Sequence, residues 1–484
     1  MRRRALLLFV LAACGGAQPE LHPTRGLIGA GAVEARHAQP LAPPAPAVEG
    51  TITVKDGATP RGRIVVGWRS AEDQRELEAG HFSLARVRRL LDSFVPGDEV
   101  DFAKTKTAHY RAAGAPPDAT PVVMLDVDHT FWLSFSGRGK SWSATAKPGG
   151  GDVVLESKSA SPPKEGCTGP RRKLLTIDAP ELEPKGPRRF CAWLPKDWSP
   201  SSSKRYPLVL VFPGFMSDHA SYFPDDGDIG VRFDTIAEET KHDAVLVGVD
   251  TSTPLGSTYL EDSRGHGAWS TFLAKRVLPV LEKELHLIPK RTARATCGHS
   301  TGGYNALSWG MRHSDMFAAI GASSPDPPDF ETWLFEPGTR RAKPWVQHLV
   351  MLEDALGGAG QVSSWAADFA PDGSARGFAW PIDPQTGTAN DAVLARWIPK
   401  TPHGLVHDEA TLARVRRDLS GRILITVGKQ DEFDLFAPAE HFANELNALG
   451  VATQFVPNDG GHGSYREYIA AALRFVLERI DKPI

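Results

Sequence analysis

The chain has 484 residues, too many for one average domain, and 41% of them are hydrophobic, enough for a sizeable core. Its 55 basic and 58 acidic residues leave a formal charge of −3 without a long single-sign run. That balance excludes the electrostatic footprint of a nucleic-acid binder.

Arg2-Arg3-Arg4 precede an apolar run, Ala5 to Ala13, which ends at Cys14. A basic start and so short an apolar stretch cannot span a bilayer but suit an export signal over residues 1–13. Leu11-Ala12-Ala13-Cys14 resembles the lipobox of bacterial lipoproteins. That resemblance implies cleavage before Cys14, acylation of its thiol, and a lipid anchor in the cell envelope, with the outer membrane as its place. A signal cut at small residues is the other reading. Residues 14–48 are rich in Ala, Pro and Gly and read as an extended tether.

A first unit is expected over 49–165. Thr51–Val54, Arg63–Val66, Pro121–Asp126, Thr130–Ser134 and Asp152–Glu156 are short β-type runs broken by Gly and Pro. Strands at such spacing point to a small β-sandwich, with 72–92 helical or irregular between them. Cys167 and Cys191 could pair across the join to the next unit; three thiols besides Cys14 do not decide it, and their spacing matches no zinc site.

From 170 to 484 the pattern changes. Tyr206–Phe212, Ala244–Val249 and Arg422–Val427 are continuous apolar runs, as in strands buried on both faces. Helical stretches at 270–285, 301–313 and 438–449 alternate with them, which indicates a mostly parallel, doubly wound α/β sheet. Residues 325–420, with Trp333, Trp345, Trp365, Trp380 and Trp397 among many Gly and Pro, interrupt the alternation as a large insertion.

Between a short strand at 293–297 and a helix from 304 lies Gly298-His299-Ser300-Thr301-Gly302. Strand, tight turn, helix is the setting in which Gly-x-Ser-x-Gly holds a nucleophile on a strained corner. A Ser hydroxyl needs a base to take its proton and an acid to orient that base. After the strand at 423–427 comes Asp431, with Glu432 and Asp434 as competitors. After a last strand at 453–456 comes His462 between glycines, followed by a capping box, Ser464-x-x-Glu467. The order Ser300, Asp431, His462 follows the α/β-hydrolase plan. An oxyanion needs two amides. Thr301, directly after the nucleophile, supplies one, and Phe215 supplies the other, with Gly214 letting the backbone turn inward.

At these residues the chain resembles the esterase family of α/β-hydrolases that includes feruloyl and acetyl-xylan esterases, S-formylglutathione hydrolase, siderophore esterases and mycolyltransferases. The matching stretches are "RRFCAWLPKDW", "KRYPLVLVFPGF", "WSTFLAKRVLPVLEKEL", "RATCGHSTGGYNAL", "FAAIGASSP", "VGKQDEF" and "DGGHGSYREY". The resemblance implies an α/β-hydrolase fold, preceded here by the sandwich unit; the insertion at 325–420 matches no common core and is expected to form a lid or cap. It also implies a nucleophile at Ser300, an acid at Asp431 and a base at His462. The family's usual His-Gly after the oxyanion strand is Pro213-Gly214 here. The expectation is a serine carboxylic-ester hydrolase of the envelope that needs no metal or organic cofactor. Its substrate would be a small-molecule or polysaccharide-linked ester. An acyltransferase or serine peptidase with the same three residues, and a non-catalytic glycan-binding protein, are the alternatives.

Overall fold

A computed structural model describes residues 46–55, 58–81, 83–127, 141–158, 167–223, 228–357 and 360–484. The export signal, Cys14, the tether up to residue 45 and the expected strand at 130–134 lie outside these residues. Among the described residues no helix is long and apolar enough to cross a membrane.

The first unit contains β1 (Ala47–Val54), β2 (Arg61–Arg69), α1 (Ala71–Glu78), α2 (Leu84–Ser93), β3 (Val95–Asp101), β4 (Ala108–Ala113), β5 (Thr120–Asp126), β6 (Ser141–Thr145) and β7 (Val153–Lys158). Its strands join in one sheet of order β3-β2-β5-β6-β7-β1-β4. The burial of β4 alternates residue by residue, as a two-residue side-chain period requires. Ile52, Val66, Tyr110, Val123 and Leu155, drawn from both halves of the sheet, share one apolar core. The two layers of the expected sandwich are therefore made by one sheet folding over on itself. Helices α1 and α2 fill the connection from β2 to β3, and the Ser70 hydroxyl caps α1 at the Asp73 amide (3.0 Å).

The second unit is built on eight strands. They include β8 (Arg172–Ala179), β9 (Gly186–Trp193), β10 (Leu208–Phe212) and β11 (Val245–Val249). Across the sheet the order is Thr453–Asn458, Ile423–Gly428, Ala319–Ser323, Arg294–His299, β10, β11, β9, β8. The first six run parallel; β9 pairs antiparallel to β11, and β8 antiparallel to β9. The parallel strands β10, β11, Ala319–Ser323 and Ile423–Gly428 are buried along their whole length, which is why they read as unbroken apolar runs. Register aligns their C-terminal ends: Phe212 pairs Gly298, His299 pairs Ser323, and Ser323 pairs Thr426. The loops after four of them thus open onto one rim, the usual place for ligands in such sheets.

Cys167 and Cys191 are disulfide-bonded with Cα atoms 5.5 Å apart, while Cys297 is free and buried. The insertion is helical, with Pro344–Ala355 and Gln361–Phe369 its longest elements before Glu409–Leu419. Trp333, Trp365, Trp380 and Trp397 are buried in the same apolar cluster as the sheet, so the insertion is welded to the hydrolase core. The last helix, Tyr465–Leu477, starts at Ser464, but the Ser464 hydroxyl does not cap it and bonds Tyr468 instead. The capping-box expectation fails there because a local side-chain partner competes for the hydroxyl.

Candidate active site

Ser300 joins the buried strand Arg294–His299 to the helix Thr301–Arg312 with φ 59° and ψ −129°. A non-glycine residue holds such a backbone only where its surroundings over-determine it. Here the Ser300 amide donates to the Ser323 carbonyl (2.9 Å), and its own carbonyl accepts from Tyr304 (3.0 Å) and Asp326 (3.2 Å). The flanking glycines serve close approach. A Cβ on Gly302 would overlap the Phe212 carbonyl, and one on Gly298 would overlap the carbonyl of Gly302.

Two rim loops further along, Asp431 and His462 meet. Asp431 Oδ2 accepts from His462 Nδ1 at 2.8 Å, and both side chains are almost wholly buried. Oδ1 of Asp431 accepts the Phe433 amide (3.1 Å), and the His462 amide donates to the Glu432 carboxylate (2.7 Å). With Nδ1 donating to the carboxylate, Nε2 carries the lone pair. That nitrogen is buried and has no hydrogen-bond partner among the described residues. The His299 ring lies 4.5 Å from the His462 ring and bonds the Ser323 hydroxyl through Nδ1 (2.8 Å). Burial first, then the neighbouring His462, pulls its pKa well below the usual histidine range.

The competing acids are otherwise engaged. Asp434 accepts from Trp345 Nε1 (3.0 Å) and faces Lys343. Glu432 holds the His462 backbone rather than its ring, and burial raises its carboxyl.

Ser300 Oγ does not bond Nε2. Its partner is Asp326 Oδ1 at 3.5 Å, a residue the sequence reading did not single out. Asp326 follows the strand Ala319–Ser323 on the same rim. Its Oδ2 accepts from Thr301 Oγ1 (2.7 Å) and the Tyr259 hydroxyl (2.9 Å), and Gln361 from the insertion bonds it too. Burial pushes its carboxyl above the usual aspartate range. The run "ASSPDPPD" behind an apolar strand is a rim-loop signal, but nothing in it points to Ser300.

The residues expected to supply the oxyanion amides are Thr301 and Phe215. Thr301 is the first residue of its helix, where amides lack intrahelical acceptors. Phe215 follows β10, and its neighbour Met216 takes φ 55° and donates its amide to Ser257 Oγ (3.1 Å). The left-handed residue of this loop is therefore Met216. Gly214 has no positive φ, and a Cβ there would sit in ordinary contact with Ser300 Cβ, 3.6 Å away. What Gly214 leaves is room beside the hydroxyl.

His403, His407 and Glu445 have ligand atoms close enough to share an ion. Both imidazoles hydrogen-bond the Glu445 carboxylate (2.9 and 2.8 Å), which accounts for the cluster without one.

A family model described as "Putative esterase" matches residues 183–471, more than half of the chain, and takes in Ser300, Asp431 and His462. Among curated proteins none matches. Solved structures similar to the chain include a ferulic acid esterase at 20% identity, covering 63% of this chain and 98% of its own, with a TM-score of 0.43. S-formylglutathione hydrolase FrmB of Staphylococcus aureus is 16% identical, with 63% and 98% covered and a TM-score of 0.40. MPT51 (FbpC1) of Mycobacterium tuberculosis is 15% identical, with 65% and 100% covered and a TM-score of 0.43. At those scores the structural likenesses carry no argument of their own. The extent of the family match does: the chain belongs to this esterase family and has its α/β-hydrolase fold.

Proposed function

We propose that this esterase cleaves carboxylic esters through a Ser300 acyl-enzyme, with His462 as base and Asp431 as its orienting acid. The observation that carries the reading is the Asp431–His462 bond, which leaves a buried, unpartnered Nε2 on the rim where Ser300 is held in a strained turn. Ester binding turns the Ser300 hydroxyl from Asp326 toward Nε2; apo contacts of this kind commonly form only in the substrate complex. His462 takes the hydroxyl proton as Oγ attacks the carbonyl carbon, and the oxyanion lies between the amides of Thr301 and Phe215. His462 then gives the proton to the leaving alcohol. A water molecule, deprotonated in turn by His462, releases the acid and restores Ser300.

The basic-apolar start and the Cys14 lipobox support a working place in the cell envelope, tethered by a lipid through the Ala/Pro-rich segment. Hydrolysis of p-nitrophenyl acetate tests the chemistry. Ser300→Ala and His462→Ala are expected to lower kcat by about 10³-fold or more. Equal turnover in His462→Ala would refute the assigned base. An excess of ester product over acid, when alcohols compete with water, would favour an acyltransferase.

A further inference from the structure

The first unit does not stand apart from the rim. Leu90, Leu91 and Phe94 at the end of α2, with Val65, Val122 and Met124 of its sheet, form one apolar cluster with Phe215, Met216, Leu352 and Leu356. Arg88 stacks over Trp345 of the insertion (4.1 Å) while pairing with Asp92 (2.6 Å), and Leu84 reaches Gly463 beside His462. Between these elements lies a mostly apolar cavity of about 40 Å³, lined by Leu91, Phe215, Trp345, Leu349, Leu352 and Phe433 among others.

Its walls tie it to the reacting atoms. Phe215 carries a proposed oxyanion amide, and the Phe433 ring stands edge-on to the His462 imidazole at 5.1 Å. Gln361, also on the wall, bonds the Asp326 that faces Ser300 Oγ. In a tetrahedral intermediate at Ser300, one substituent is Oγ, one is the oxyanion between the two amides, and one is the leaving oxygen, which must face Nε2. The acyl substituent takes the remaining direction.

We infer that this cavity is the acyl pocket of the Ser300 site, and that Leu91 of α2 closes its far end, so that the first unit sets acyl length. The inference rests on the hydrolase reading above and names its substrate class: esters of short acyl groups. At about 40 Å³ the cavity is small, which suits short acyl groups better than long or aromatic ones. Arg88 does not make the pocket an anion site, because Asp92 already neutralises it.

The test measures kcat/KM of the full chain on p-nitrophenyl acetate, butyrate, hexanoate and octanoate, for wild type, Leu91→Ala and Leu91→Phe. The ratio between two esters within one preparation is independent of how much protein is folded, so a destabilised variant still reports. Wild type is expected to lose at least about tenfold from acetate to hexanoate, since one misfitting methylene in an apolar pocket is worth roughly 10-fold or more. Leu91→Ala, which removes the isopropyl end of the wall, should raise the hexanoate-to-acetate ratio by about tenfold. Leu91→Phe should lower the butyrate-to-acetate ratio. Equal use of acetate and octanoate by wild type, or ratios that neither variant moves, would overturn the inference. A wild type that turns over no ester would instead sink the hydrolase reading on which it stands.

Discussion

Asp326 offers a sharp perturbation because its two oxygens have separate tasks. Oδ2 accepts from Thr301 Oγ1 and Tyr259, whereas Oδ1 faces only the Ser300 hydroxyl among the hydrogen bonds made to it by the elbow. Burial raises its pKa, while the hydroxyls of Thr301 and Tyr259 that donate to it oppose the shift. Asparagine keeps the shape and one acceptor: its oxygen replaces Oδ2 for Thr301 and Tyr259, and its amide group takes the place of Oδ1 beside Ser300. Asp326→Asn is therefore expected to hold kcat within about threefold and stability within about 1 kcal/mol of wild type. Asp326→Ala strands two buried hydroxyl donors at about 1–3 kcal/mol each, so stability should fall by about 2–6 kcal/mol. It also frees the turn under Ser300, for which a kcat loss of about 10² is expected. Urea unfolding and p-nitrophenyl acetate hydrolysis read the two effects. If asparagine damages the enzyme as much as alanine does, the retained acceptor is not what holds the turn, and the reasoning fails.

Two further outcomes follow from packing and burial. Gly302→Ala puts a methyl into the Phe212 carbonyl, a backbone contact that cannot swing aside. A stability loss of about 1–3 kcal/mol, with activity falling more steeply than stability, is expected from thermal melts and ester assays; a neutral variant would mean the helix does not need that approach. Glu353 is fully buried and its carboxyl is pushed up to about 7. The folded chain therefore keeps a proton that the unfolded chain releases near its ordinary value of 4.5, so this stability is complete below that value and is lost as pH rises through 7. Glu353→Gln has no such loss. Its stability deficit against wild type should shrink between pH 5 and pH 8, and a constant deficit over that range would contradict the shift.

The sequence carried the central sheet well, because strands buried on both faces must be apolar throughout and the helices between them repeat. The positions of Ser300, Asp431 and His462 were legible for a related reason: each lies in a loop directly behind a legible strand of the parallel sheet. β8 and β9 went unread, since alternation such as that of Arg172–Ala179 puts polar residues outward every second position. Asp326 went unread because its partners, Tyr259, Thr301 and Gln361, come from three distant segments. The contact of α2 with the rim was equally hidden. Leu90 and Leu91 look like the buried face of any amphipathic helix, and nothing local says which surface covers them.

The most direct test is to trap the proposed intermediate. Incubation with a fluorophosphonate, digestion and peptide mass spectrometry should place one phosphonyl group per chain on the peptide "ATCGHSTGGYNAL", at Ser300, with labelling slowed by about 10³-fold or more in His462→Ala. An adduct on another residue, or a folded protein that never labels, would contradict the account.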